Sequence, residues 1–151
     1  MYEIRSAKIT DAREIYKLIE YYANKKEMLH RPISAIFEEI QEFILIKENN
    51  TMVGCGALHV SWEDLAEIRS LAILENYKNN GFGSKIVNEL QKNAKSLDIK
   101  KVFTLSFKPN FFKKLGYEVI SKETLPHKIW NDCINCHLFP DCGEVALLKI
   151  L

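Results

Sequence analysis

The sequence lacks the features that would direct a chain to a membrane, to nucleic acid or out of the cell. No apolar run approaches the roughly 18 residues of a membrane span. The first residues, Met-Tyr-Glu-Ile-Arg, do not show the charged-then-apolar pattern of a secretion signal. Lys and Arg number 21 against 20 Asp and Glu, so no field of one sign attracts nucleic acid or anionic lipid. We therefore expect a soluble, cytoplasmic protein that binds neither nucleic acid nor membrane.

Cysteine is scarce and unevenly placed, with four residues in 151. Cys55 stands alone, and the other three cluster near the C-terminus: Cys133, Cys136 and Cys142. With His127 or His137 this cluster offers suitable zinc ligands. One Cys-x-x-Cys pair with an incomplete second pair is modest evidence, however, and cytoplasmic thiols stay reduced. We favour reduced cysteines in an ordered loop and assign no metal.

What the sequence does contain is one regular succession of strand and helix patterns. A hydrophobic content of 47% in 151 residues allows a packed core, so we predict a single domain over 1–151. Apolar periodicity predicts the order β-α-α-β-β-β-α-β-α-β-β, which is a mixed α/β sheet. Gly54 and Gly56, inside the third strand, predict a bulge or a close backbone approach.

The segment from Glu67 to Ser84 carries the most information. An apolar strand pattern with Ile68, Leu71 and Ile73 ends in the turn Lys78-Asn-Asn-Gly-Phe-Gly83, and an amphipathic helix follows. Strand, glycine turn and helix together present bare amides and a positive helix end to a phosphate. The turn lacks the Gly-Lys-Ser/Thr of a P-loop, and one Gly-x-Gly is weak evidence for a dinucleotide site. The spacing alone leaves a phosphate site and a plain tight helix entry as alternatives.

Two motifs resemble those of the GNAT superfamily of N-acetyltransferases. Lys78-x-x-Gly81-x-Gly83 is similar to the acetyl-CoA signature Gln/Arg-x-x-Gly-x-Gly/Ala, with lysine in place of the usual first residue. Phe111-Phe-Lys-Lys-Leu-Gly-Tyr117 is similar to the later Phe-Tyr-x-Lys-x-Gly-Phe segment. The resemblance spans nearly the whole chain. It implies the GNAT fold, in which strands 4 and 5 splay apart and the pantetheine arm enters between them, and it implies acetyl-CoA as co-substrate.

The same resemblance implies which backbone groups hold acetyl-CoA. Residues expected at the pantetheine and acetyl group are Leu71, Ala72 and Ile73. Residues expected around the pyrophosphate are Lys78, Asn79, Asn80, Gly81, Phe82, Gly83 and Ser84. A backbone amide aimed at the thioester oxygen would stabilise the tetrahedral oxyanion.

Three charged residues are the candidates for catalysis and acceptor binding. Glu67 resembles in position the base glutamate of the histone acetyltransferase branch, and a plain strand-edge carboxylate paired with a lysine is the alternative. Arg69 shares a strand face with Glu67. An arginine in an apolar strand needs an anion, which is either Glu67 or a substrate carboxylate. Arg31, between the first two helices, is a second candidate for binding an acidic or amino-acid acceptor.

Phe112 stands where many members of the superfamily carry a tyrosine that acts as general acid. Phenylalanine cannot donate a proton. Either the thiolate, with a pKa of roughly 8.5, leaves unassisted, or Ser106, Lys108 or a water protonates it. We assign no general acid.

The tail from Leu125 to Ala146 resembles that of short, single-domain N-acetylglutamate synthase-like acetyltransferases, which lack the amino-acid-kinase domain of longer synthases. The resemblance implies acetylation of the α-amine of L-glutamate in arginine biosynthesis, by direct attack in a ternary complex. The alternatives are acetylation of another small amine or of a protein lysine or N-terminus, and a non-catalytic acetyl-CoA-binding module. Homodimers are common in this superfamily, although no interface is visible in the sequence.

Overall fold

The computed structural model describes residues 1–126 and 143–151. The strands are β1 (Tyr2–Ser6), β2 (Phe43–Glu48), β3 (Thr51–Trp62), β4 (Leu65–Ile73), β5 (Lys101–Ser106), β6 (Glu118–Ile120) and β7 (Val145–Ile150). The helices are α1 (Ala12–Asn24), α2 (Ile33–Glu38), α3 (Phe82–Ser96) and α4 (Pro109–Lys114). The predicted order of strands and helices is confirmed. His127 and the three clustered cysteines, with His137, lie outside the described residues.

The strands form one sheet in the order β1-β2-β3-β4-β5-β7-β6, with antiparallel neighbours except for the parallel pair β4 and β5. Ile86 and Leu90 of α3 are fully buried on one face of the sheet. Ile15 and Ile19 of α1 are fully buried in a second apolar cluster, together with Ile36 of α2. Helices therefore cover both faces of the sheet, as an α/β layer architecture requires.

The two glycines of β3 let α3 lie close to the sheet. A Cβ atom at Gly54 would lie 2.5 Å from Cδ1 of Ile73 in β4 and 3.2 Å from Cδ1 of Ile86 in α3, and one at Gly56 would lie 2.8 Å from Cγ2 of Ile86. Neither distance leaves room for a side chain without movement of its neighbour. The predicted close approach is confirmed, and it sets the position of the helix whose N-terminus borders the site described below.

A β-bulge interrupts β4 at Ser70, which has a positive φ of 58°. Arg69 is opposite Ala57 and Ala72 is opposite Cys55, so Ser70 and Leu71 together face the single residue between those two. One extra residue exchanges the faces of a strand. Ile68, before the bulge, and Leu71, the second residue of the bulge, therefore pack in the same apolar cluster as α3.

The predicted splay of β4 and β5 is confirmed. Their parallel pairing covers only three positions and ends at Glu67 and Phe103. Immediately beyond that point, the buried hydroxyl of Thr104 donates a hydrogen bond of 2.8 Å to the carbonyl oxygen of Ile68. The side chain thus satisfies a backbone group at the position where the strand ladder opens.

Among the helices of residues 1–126 and 143–151, none has the length and apolarity needed to cross a bilayer.

Candidate active site

A cleft of about 1020 Å³ opens where β4 and β5 diverge. One wall is the connection between α1 and α2, from Glu27 to Arg31. The floor is β4 from Glu67 to Ile73, and the remaining walls are the turn before α3, the end of β5 and the start of α4. The cleft brings together most of the residues that the sequence indicated, and they divide into two groups of different construction.

The first group is built from backbone at the N-terminus of α3. Gly81 is the N-cap in a left-handed conformation, with φ of 82°. The first intrahelical bond runs from Lys85 N to Gly81 O at 3.1 Å, and the first turn carries no acidic residue. No carboxylate of the first turn therefore competes for the leading amides of this 15-residue helix, which leaves them able to bind an anion.

The glycines of this turn keep the amides accessible. A Cβ atom on Gly81 would meet nothing within 4 Å, whereas one on Gly83 would lie 3.1 Å from the ring of Phe111. Gly81 is required by its φ value, and Gly83 by the neighbouring aromatic ring. This open cradle of amides fits a phosphate group.

Nine of the ten residues predicted to hold acetyl-CoA line the cleft, and Asn80 lies in the same turn but is not among the lining residues. The Nζ atom of Lys78 is 3.5 Å from an oxygen of Glu75 and 4.6 Å from the ring centre of Tyr22. A hydrogen bond from Lys25, and the charge of Lys78, hold the pKa of Glu75 below its usual range.

Tyr22 of α1 is buried in the core and also lines the cleft. Its hydroxyl donates a hydrogen bond to the carbonyl oxygen of Ile73. Burial raises the pKa of Tyr22 to about 12, so the hydroxyl stays protonated and keeps this bond at neutral pH. The sequence signal for it was weak: a tyrosine on an apolar helix face needs a partner for its hydroxyl.

The second group is built from side chains on the α1–α2 side of β4. Arg69 Nη1 is 3.8 Å from Glu67 Oε1, so the two share a face as the strand spacing predicted. Arg31 joins them from the connection between α1 and α2, and its Nη1 donates to Ser70 Oγ at 3.3 Å. The exposed fraction of these side chains is small, at 14% for Glu67, 23% for Arg69 and 15% for Arg31.

The main internal partner of both arginines is Glu39, which the sequence did not indicate. Arg69 Nη2 donates to Glu39 Oε2 at 2.6 Å, and Arg31 Nη2 donates to Glu39 Oε1. Glu67 is therefore the most distant of the three carboxylates within 4 Å of Arg69, the others being Glu39 and Glu42. Nothing in the local sequence distinguishes Glu39 from its acidic neighbours, because the pairing joins the end of α2 to a strand far along the chain.

Glu42 and His59 extend this charged cluster. His59 Nδ1 lies 2.8 Å from Glu42 Oε2, and Arg69 Nη2 lies 3.6 Å from Glu42 Oε1. Glu39, Glu42 and His59 are residue types that bind metal ions, and one ligand atom from each lies within 4.8 Å of the others. Because the guanidinium of Arg69 already supplies positive charge to both carboxylates, we assign no metal to them.

The wall formed by β5 and α4 carries the groups considered for protonating the thiolate. Phe112 is buried and packs edge-on against Phe111 and Tyr117. Ser106 Oγ accepts a hydrogen bond from Lys108 N at 2.9 Å, and both residues line the cleft. The geometry keeps Ser106 and Lys108 as candidates.

Glu144, just before β7, is a further titratable residue of the cleft that the sequence did not indicate. Burial raises its pKa to about 7, while the charge of Lys122 acts in the opposite direction. A carboxylic acid with this pKa is partly protonated at neutral pH. No pattern in the sequence identifies it, because its burial results from the packing of distant segments.

Comparison with known proteins agrees with this geometry. Residues 7–117 match the acetyltransferase (GNAT) family. An uncharacterized N-acetyltransferase of Chlorobaculum tepidum is 38% identical over 148 residues, which cover 98% of this chain and 96% of that protein. An amino-acid acetyltransferase of Mycobacterium tuberculosis is 33% identical over 150 residues, covering 97% of this chain and 84% of that protein.

Among solved structures, N-acetylglutamate synthase from Neisseria gonorrhoeae, complexed with coenzyme A and N-acetyl-glutamate, has a TM-score of 0.92. At 24% identity this likeness shows the fold alone. The chain covers 35% of the length of that synthase. The splayed strands, the glycine turn at α3 and the family match together establish that this chain belongs to the GNAT family of acetyltransferases, with acetyl-CoA as its acetyl donor.

Proposed function

We propose that this acetyltransferase acetylates the α-amine of an amino acid, and that the acceptor is L-glutamate. The observation that carries the proposal is the meeting of Arg31, from the wall of the cleft, and Arg69, from its floor, beside Glu67. Guanidinium groups bind carboxylates through paired hydrogen bonds. The amino-acid acetyltransferase of Mycobacterium tuberculosis, 33% identical along most of both chains, supports the same class of acceptor. A glutamate acceptor would place the reaction in arginine biosynthesis, in the cytoplasm.

In the proposed reaction the acceptor ammonium first loses a proton, which Glu67 takes up through a water. The amine nitrogen then attacks the thioester carbonyl carbon, and a C–N bond forms. Backbone amides near Ile73 stabilise the resulting oxyanion. The nitrogen loses its second proton to solvent as the intermediate collapses with cleavage of the C–S bond, and the thiolate takes a proton from water, Ser106 or Lys108.

Acetyl-CoA binding is proposed to use the backbone-built group. Amides from Asn79 to Ser84 would hold the pyrophosphate, with Lys78 adding positive charge at the edge. Leu71, Ala72 and Ile73 would hold the pantetheine and acetyl group, because β4 has no pairing with β5 beyond Glu67.

A second candidate function is acetylation of a small amine that carries no carboxylate. The observation that favours it is the number of acids around the two arginines. Three carboxylates lie within 4 Å of a guanidinium nitrogen of Arg31 or Arg69, namely those of Glu39, Glu42 and Glu67. Much of the positive charge of the two arginines is therefore already balanced. Such a cluster attracts an acidic acceptor less strongly than two unpaired arginines would.

A screen of acceptors separates the two candidates. Thiol release from acetyl-CoA would be followed at steady state with the standard amino acids, spermidine and a lysine peptide. The proposal predicts the highest kcat/KM for glutamate. It is overturned if spermidine or the lysine peptide performs equally well, and that result would support the second candidate. Tight acetyl-CoA binding without turnover of any acceptor would contradict both.

A further inference from the structure

The carboxylate of Glu39 holds two arginines at once. Its Oε1 accepts from Arg31 Nη2 and its Oε2 accepts from Arg69 Nη2 at 2.6 Å. Glu39 follows directly after α2, whereas Arg31 precedes that helix and Arg69 comes from the centre of the sheet. One side chain therefore ties the wall of the cleft to its floor.

Two guanidinium groups in one partly buried cleft repel each other. Burial and the charge of Arg69 lower the pKa of Arg31, and the charges of Glu39, Glu42 and Glu67 oppose both effects. An anion between the two cations offsets this repulsion. Glu39 is the carboxylate that bridges them.

The position of Glu39 indicates that it supports the two arginines and does not compete with the substrate for them. Both arginines line the cleft, but Glu39 is not among the lining residues. It takes one terminal nitrogen from each arginine, and Arg31 directs its other one to Ser70 at the bulge of β4. Glu42 is the second acid of the cluster; it lies 2.8 Å from His59 and only 3.6 Å from Arg69, and it does not contact Arg31 within 4 Å. Glu39 thus acts from behind the cation pair.

We propose that Glu39 is a positioning residue, which orients Arg31 and Arg69 so that both can bind one acceptor carboxylate. The inference rests on the proposed function in one respect, namely that the acceptor bears a carboxylate. It goes further by naming Glu39 as a residue that determines acceptor selectivity although it does not contact the acceptor. If the two arginine side chains are already oriented before the acceptor binds, less side-chain entropy is lost on binding.

The kinetic test compares Glu39→Gln and Glu39→Asp with the matched control Glu38→Gln. Glu38 is the preceding residue, is exposed, and has no ion pair within residues 1–126 and 143–151. For Glu39→Gln we expect the KM of glutamate to rise by about tenfold or more, the loss typical of charge-assisted hydrogen bonds. The KM of acetyl-CoA should stay within about twofold. Glu39→Asp should recover part of the loss, and Glu38→Gln should match the wild type.

A lower KM for glutamate in Glu39→Gln would overturn the proposal, because it would mean that Glu39 competes with the acceptor for the arginines. Equal rises in the KM of both substrates would also overturn it, since a merely structural role predicts that outcome.

A second measurement does not depend on the identity of the acceptor. Nuclear magnetic resonance of ¹⁵N-labelled arginine side chains reports how fast each guanidinium rotates. We expect faster rotation of both Arg31 and Arg69 in Glu39→Gln and unchanged rotation in Glu38→Gln. Unchanged rotation in Glu39→Gln would contradict the positioning role whatever the acceptor is. If rotation increases but wild-type protein does not use glutamate, the proposed function fails and the positioning role stands.

Discussion

The two halves of the cleft are built in different ways. The half at the N-terminus of α3 consists of backbone amides, presented by a turn whose glycines are required at Gly81 and Gly83. The opposite half consists of charged side chains that come from β3, β4 and the segment around α2. A backbone site suits a ligand part that never changes, such as a pyrophosphate. A side-chain site can change its acceptor by substitution, without disturbing the donor. We therefore expect substitutions in the two halves to change the KM values of the two substrates separately.

The largest expected effect is on the side-chain half. Glu67→Gln removes the proposed proton acceptor and should lower kcat by about 100-fold or more. It should also flatten the rise of kcat with pH on the alkaline side. The KM of acetyl-CoA should stay within about twofold of the wild type. Initial rates at saturating acetyl-CoA from pH 6 to 10 measure all three quantities, and an unaltered pH profile would remove Glu67 from the role of base.

On the backbone half, Gly81→Ala places a methyl group in the cleft and a strained φ of 82° on a residue with a Cβ. We expect the KM of acetyl-CoA to rise by about tenfold, while the KM of the acceptor is preserved. Gly116→Ala is the matched control, because Gly116 has φ of 93° and follows α4 outside the cleft. It should lose about 1 kcal/mol of unfolding free energy and keep both KM values. An unchanged acetyl-CoA KM in Gly81→Ala would argue against this turn as the anion site.

Thr104→Val tests the hydrogen bond at the point where β4 and β5 diverge, between the two halves of the cleft. The substitution keeps the shape of the buried side chain but leaves the carbonyl of Ile68 without the hydroxyl. We expect a loss of about 1–3 kcal/mol in unfolding free energy, measured by urea denaturation. Thr104→Ser retains the hydroxyl and should lose less. A loss in Thr104→Ser as large as that in Thr104→Val would contradict this expectation, because it would show that the hydrogen bond contributes no more than the packing of the methyl group.

The smallest expected effect concerns Glu144. Its folded-state pKa of about 7 lies above its ordinary value of 4.5, so the folded protein binds the extra proton. Unfolding free energy should therefore fall as pH rises from about 4.5 through 7. Glu144→Gln should reduce this decline, whereas Glu118→Gln, on exposed β6, should keep it. Denaturation at pH 5 and pH 8 measures the difference, and equal slopes in wild type and Glu144→Gln would contradict the raised pKa.

The backbone half and the fold could be predicted from the sequence because their determinants are local. Helix and strand periodicity gave the order of elements, and Gly81 and Gly83 marked the turn before α3. The bulge at Ser70 also left a signal. Ile68 and Leu71 are three residues apart, an odd spacing that would put them on opposite faces of a regular strand.

The side-chain half could be predicted only in part. An arginine in an apolar strand required an anion, and Glu67 was the nearest acid in sequence. The stronger bond is to Glu39, which packing brings from the end of α2. A long-range pairing of this kind produces no periodicity or spacing in the sequence from which it could be predicted. The same is true of the burial that raises the pKa of Glu144.

The most direct test of the division of the cleft into a backbone half for acetyl-CoA and a side-chain half for the acceptor is to measure both Michaelis constants in Gly81→Ala and Arg31→Ala. Initial rates would be collected over a grid of acetyl-CoA and glutamate concentrations for each variant and for the wild type. The division predicts a crossed result, in which Gly81→Ala raises only the KM of acetyl-CoA and Arg31→Ala raises only the KM of glutamate. It is contradicted if Arg31→Ala raises the KM of acetyl-CoA as much as that of glutamate while the fold remains intact.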